Sequence, residues 1–130
     1  MHHPVIMGLE LELGLLNAPE LTTRRERVCA RLLEAVAGTQ AHAPGLHAKQ
    51  KHTIFLANGA AFGLEPPGWI VPEYDTPECA SPFDLAAAVT AGMRLLAAAA
   101  AQVDVEWRSE AQVRRGPRGP LRFGAASDFY

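Results

Sequence analysis

From Met7 to Leu13 the chain alternates without a break. Met7, Leu9, Leu11 and Leu13 take one face of an extended strand, and Gly8, Glu10 and Glu12 take the other. Residues 5–14 therefore read as a strand with one face seeking a core and two carboxylates pointing the same way. Glu10 and Glu12 lie about 6.5–7 Å apart along such a strand. Two hard carboxylates on a rigid element suit Mg²⁺, held directly or through water, above all where phosphates complete its shell. The solvated side of an amphipathic strand explains the same pattern.

A helix follows. Thr23 and Glu26 have the spacing of a capping box, Val28, Leu32, Leu33 and Val36 recur at helical intervals, and Gly38 suits a C-cap. Arg24, Arg25, Arg27 and Arg31 are assigned to solvent. Residues 39–52, with Pro44, Gly45 and three histidines, read as a loop. Residues 53–57 are strand-like, Asn58-Gly59 signals a hairpin, and residues 60–64 return as its partner. The EPPG run at 65–68 breaks that pattern, and a short extended piece from Trp69 enters Pro72-Glu73-Tyr74-Asp75-Thr76-Pro77-Glu78.

The second helix has an N-cap in Ser81, Pro82 at its first position and Asp84 at the positive end of its dipole. It is expected to run to about Gln102, burying a stripe of Leu85, Val89, Met93 and Leu96. The alternation from Val103 to Trp107 predicts a further strand, and residues 108–130 are expected to be loosely ordered. The order strand, helix, hairpin, helix, strand predicts an α+β fold: a mostly antiparallel curved sheet with helices on one face.

With 130 residues, 12 Lys+Arg against 14 Asp+Glu, and 48% hydrophobic content, the chain can build one core but not two. That balance excludes disorder, a collagen-like chain and a polybasic scaffold. The longest apolar run, Leu95 to Ala101, is far short of the ~20 residues of a membrane span, so no span is expected. The N-terminus lacks the basic and apolar regions of a secretory signal, which makes a cytoplasmic location the expectation. Cys29 and Cys79 have no metal-ligand spacing and are read as reduced packing residues.

Four acidic positions, Glu65, Glu73, Asp75 and Glu78, fall within a short proline-punctuated stretch and can complete a cation site or form an exposed acidic loop. His42, His47 and His52 are five apart, a spacing that neither helix nor strand gathers. Covalent hydrolase signatures and glycine-rich phosphate loops are absent. The RRGPRGPLR segment lacks the interleaved aromatics of a single-strand binder, and nucleic acid is not an expected partner.

Three pieces in register resemble the Pup ligase and Pup deamidase/depupylase family, relatives of glutamine synthetase and the carboxylate-amine ligases. IMGLELELG at residues 6–14 is similar to the opening G-x-E-x-E-[YF]-G strand. FLANGA at 55–60 is similar to F-L-x-N-G-A, and PEYDTPEC at 72–79 to H-P-E-Y-x-[TS]-P-E-C. The resemblance covers residues 5–100. It implies the N-terminal part of a glutamine synthetase-like catalytic domain, with residues 1–130 a single, incomplete portion. It also implies ATP and Mg²⁺ as cofactors, with Glu10, Glu12 and Glu73 as metal or nucleotide-phosphate ligands. Pup, or a Pup-like small protein, and its lysine-bearing targets are the implied partners.

The sequence departs from the family pattern in places. Glu65 stands nearest to the family's catalytic aspartate and is the candidate catalytic residue. Its extra methylene shifts the carboxylate by about a bond length, and a 1 Å misplacement can cost ~100-fold in rate. Val71 replaces a histidine, Leu13 an aromatic residue and Ala61 an arginine. Motif details divide between deamidase and ligase, with a lean to the deamidase. The alternative expectation is a non-catalytic module that kept the fold and lost the chemistry.

Overall fold

The computed structural model describes residues 5–16, 22–39, 42–44, 52–66, 68–112 and 122–125. In chain order the elements are β1 (Glu10–Leu16), α1 (Thr22–Thr39), β2 (His42–Pro44), β3 (Thr53–Leu56), β4 (Ala61–Glu65), β5 (Val71–Asp75), α2 (Pro82–Gln112) and β6 (Arg122–Ala125). The strands form one sheet in the order β2-β3-β4-β5-β1-β6, and every pairing is antiparallel. The fold is the expected α+β layer, with β1 inserted between two strands that come much later in the chain.

One sheet face builds the core. Leu13, Ile54, Leu56, Phe62, Leu64 and Tyr74 are buried there, and from the helices come Val28, Leu32, Val36, Leu96, Ala99 and Val103. The alternation that opened the sequence is realised on β1, where Leu13 is buried and Glu12 exposed. Toward its start the strand frays into an isolated bridge between Met7 and Cys79, and Leu9 is exposed.

The local signals are readable in the geometry. Leu56 O accepts Gly59 N–H at 3.0 Å and Leu56 N–H donates to Ala60 O at 2.8 Å, so Ala57-Asn58-Gly59 is a three-residue hairpin loop. Gly59 closes it at φ 86, a left-handed conformation that glycine adopts without a Cβ penalty. At α2, Asp84 N–H donates to Ser81 Oγ at 3.1 Å while Ser81 Oγ–H donates to Asp84 Oδ2 at 2.6 Å, closing the expected cap.

Several expectations are corrected. α2 does not stop near Gln102; it runs on to Gln112, so Val103 to Trp107 is helix and not strand. Val103 continues a line of buried positions from Gly92 through Leu96 and Ala99, so its burial follows a helical period. Met93, placed in the buried stripe, is 38% exposed because Gly92 takes the inward position. Within the expected 39–52 loop, His42–Pro44 pairs with β3; of residues 108–130, expected to be loosely ordered, those up to Gln112 are helical and Arg122–Ala125 pairs with β1. Arg25 is half-buried, with its Nε enclosed and without a hydrogen-bond partner.

Pro82–Asp104 is long and apolar enough to cross a membrane by length and composition alone, which the longest apolar run did not suggest. Its Leu96, Ala99, Ala100 and Val103 are buried in this domain's core. Both cysteines are reduced and buried, as expected. His47 and the basic segment from Arg114 to Leu121 lie outside the described residues.

Candidate functional site

Residues paired directly across antiparallel strands project to the same sheet face, so the register shows which side chains meet. Glu10 faces Asp75 and Glu12 faces Glu73 across β1 and β5. On the other side of β5, Ala61 faces Asp75, Gly63 faces Glu73, and Glu65 faces Val71. Glu10, Glu12, Glu65, Glu73 and Asp75 therefore share the face turned away from the helices. The two separate acidic clusters of the sequence become one wall on three adjacent strands, β4-β5-β1. Glu78, the remaining acidic residue of the proline-punctuated stretch, lies beyond β5 and is exposed.

That crowding leaves an electrostatic mark. Burial, then a hydrogen bond with Glu65, then repulsion from Asp75, Glu65 and Glu10 push the Glu73 carboxyl up to about 8. The Asp75 carboxyl is also raised, by burial first and then by Glu10 and Glu65. Asp75 Oδ1 is enclosed and has no hydrogen-bond partner. At neutral pH Glu73 thus keeps a proton that an isolated glutamate would have lost.

The opposite face of β5 explains why these carboxylates are held outward. Tyr74 sits between them in sequence, points inward and is 1% exposed. Its hydroxyl donates to Ala88 O at 3.3 Å and is hydrogen-bonded to the Asn58 side chain. The ring lies flat on Gly92, where an added Cβ would come within 2.2 Å of it. Gly59 packs beside Pro77, Thr76 Oγ1 accepts Leu9 N–H at 2.9 Å, and Thr76 N–H donates to Leu9 O at 2.9 Å. The uncharged residues of the three sequence motifs thus form a clasp that joins β1, the β3–β4 turn and the end of β5.

The β4–β5 turn adds a strained feature beside Glu65. Gly68 at φ 79 and Trp69 at φ 55 are both left-handed, and the Trp69 ring packs against His52 in a tilted contact with centroids 4.3 Å apart. A positive φ costs a bulky residue roughly 1–2 kcal/mol, and the ring contact helps to offset it.

The carboxylate set is all hard oxygen, which fits a divalent cation of the magnesium type. The buried, unpartnered Asp75 oxygen and the protonated Glu73 carboxyl are both conditions that a cation relieves. Among the described residues no three His, Cys, Asp or Glu side chains converge closely enough to hold a metal ion by themselves. Mg²⁺ does not need such a cage, because it is commonly held by one or two carboxylates together with waters and substrate phosphates. Asp75 is the wall residue that pattern reading left as one acidic position among several. Its signal is the register with Glu10, which a one-strand reading cannot supply.

Comparison with known proteins gives two matches. Residues 5–116 match the family model of the Pup-ligase protein. Among solved structures the chain is similar to the crystal structure of the complex between prokaryotic ubiquitin-like protein Pup and its ligase PafA. The TM-score is 0.64 at 22% identity, over 91% of this chain and 21% of that one. The chain thus spans about a fifth of that protein's length, and the likeness is one of fold. No curated protein matches.

Proposed function

The chain belongs to the Pup ligase family, and from that membership we propose that its acidic wall is part of an ATP- and Mg²⁺-dependent site for amide chemistry on Pup. The observation that carries the proposal is the register placing Glu10, Glu12, Glu65 and Glu73 on one sheet face. Glu10, Glu12 and Glu73 would hold the cation, and through it the nucleotide phosphates. When bound, the cation neutralises phosphate charge, which carboxylate activation through an acyl phosphate requires.

The chain's own contribution is positional. β1 and β5 set Glu12 opposite Glu73, and the clasp around Tyr74 keeps β5 from turning. Glu65 is proposed as the group that accepts a proton during the reaction. Its hydrogen bond with Glu73 in the metal-free wall keeps its carboxyl beside the cation ligands. Pup and its lysine-bearing targets are the proposed partners, a cytoplasmic setting belongs to the same reading, and residues 1–130 are proposed as one portion of a larger catalytic domain. Deamidase-like and ligase-like chemistry both use such a wall, and the motif details lean to the former.

Calorimetric titration with Mg·ATP, on the chain carried within its complete catalytic domain, tests the reading. Saturable binding that is lost in Glu10→Ala and Glu73→Ala supports it; absent binding, or binding indifferent to both changes, overturns it. A second reading, a non-catalytic binding module, is favoured by Glu65 and Val71 standing where the family pattern has an aspartate and a histidine. It predicts association with Pup without nucleotide binding.

A further inference from the structure

α1 and α2 pack side by side, yet their outer faces differ in kind. α1 turns Glu26, Arg27, Arg31 and Glu34 to solvent, as a surface helix does. α2 turns out Phe83, Ala87, Ala91, Met93 and Ala97 with Arg94 among them, and Phe83 is 86% exposed. Of the most apolar 18-residue stretch of α2 only 22% is buried. A helix apolar on every side belongs inside a larger assembly. Here only the inner side is covered, where Leu96, Ala99 and Val103 join the core.

The pattern of that outer face selects its occupant. Asp84, Ala87, Ala91, Arg94 and Ala98 are all exposed and step by three and four residues in turn, the spacing of a helix–helix seam. Arg94 is the one charged side chain between Asp84 and Asp104, and among the described residues it makes no ion pair. A second α2 laid antiparallel about a twofold axis at Val89 sets each Asp84 opposite the other copy's Arg94. The same register puts Ala87 against Ala91 on both sides of the axis. Both charges are then paired, and the smallest side chains lie where two helix axes can approach to about 8 Å. The face is thus complementary to itself, which an isologous dimer contact requires. A parallel second helix in register would instead set Asp84 on Asp84 and Arg94 on Arg94.

We infer that the outer face of α2 is the contact surface of a homodimer, a second copy of this chain lying antiparallel across Ala87 and Ala91 and tied by two Asp84–Arg94 pairs. The surface is on the helix side of the sheet, away from the carboxylates, so the inference stands or falls independently of how the acidic wall is read.

Sedimentation velocity of the chain carried within its complete catalytic domain tests the dimer. Wild type should pass from monomer to dimer as concentration rises. Asp84→Lys and Arg94→Glu each set like charges across both pairs and should weaken self-association about tenfold or more. Mixed in equal amounts, the two variants regain both pairs, so the mixture should associate about as tightly as wild type, which also shows that each variant is folded. Ala91→Glu, which sets carboxylates beside the axis, should leave a monomer. A wild type that stays monomeric at every concentration overturns the inference, as does a mixture that associates no better than either variant alone. If Ala91→Glu lowers the melting temperature and leaves the oligomeric state unchanged, α2 is covered by another part of its own domain and the dimer is refuted.

Discussion

A single carboxyl, that of Glu73, records how β1, β4 and β5 meet. Its folded-state value of about 8 lies above the ordinary 4.5, so between those limits the native chain binds more protons than the unfolded one. Stability from this group is therefore complete below about pH 4.5 and is lost as pH rises through 8. Glu73→Gln should melt higher than wild type at pH 9 and close to it at pH 4.5, as read by calorimetry; equal melting temperatures at pH 9 would contradict the crowding described. Cation uptake must displace this proton, so Mn²⁺ affinity should climb with pH up to about 8; an affinity indifferent to pH below that value would contradict it. The identities of Glu10, Glu12, Glu65 and Glu73 were legible in the sequence through spacing and motif. The joining of Glu10 to Asp75 was not, because it depends on a strand register between residues that one-dimensional reading never sets side by side.

Among the elements, α2 and β5 are tied by the least conspicuous residue of either. Gly92 exists to admit the Tyr74 ring, and Gly92→Ala puts a methyl within 2.2 Å of it. The gain in helix propensity, about 1 kcal/mol, is smaller than the strain. The variant should lose about 1–3 kcal/mol net in urea denaturation, and a stabilised Gly92→Ala would refute the wedge. Ser81, Pro82 and Asp84 announced the start of this helix correctly because capping is local chemistry. Its far end was missed because Val103, Asp104, Val105, Glu106 and Trp107 alternate as a strand does. Continuation from a helix already packed on the core outweighs that alternation. Met93 was misplaced for a related reason: hydrophobicity nominated it, whereas the flat Tyr74 ring turned Gly92 inward.

For the whole molecule, the family fold was legible from three short motifs, since their glycines, tyrosine and threonine make the contacts that join distant parts of the chain. The placement of β6 beside β1 was not, because residues 121–130 carry no period. The topology also has a consequence for how the chain comes together. β3, β4 and β5 pair through short connections, Phe55 with Ala61 and Leu64 with Pro72, whereas Glu10 must find Asp75 across 75 − 10 = 65 positions. Loop closure favours the meander first and the insertion of β1 afterwards. In pulse-labelled refolding the amide of Phe62 should gain protection before those of Leu11 and Leu13; simultaneous protection would argue against this order. Since the late pairing is also the one that presses Glu10 and Glu12 against Asp75 and Glu73, the electrostatic cost of the wall falls on the final step of assembly. Refolding of this chain should therefore accelerate with added salt or mild acid, with β1 as the strand whose arrival those conditions hasten.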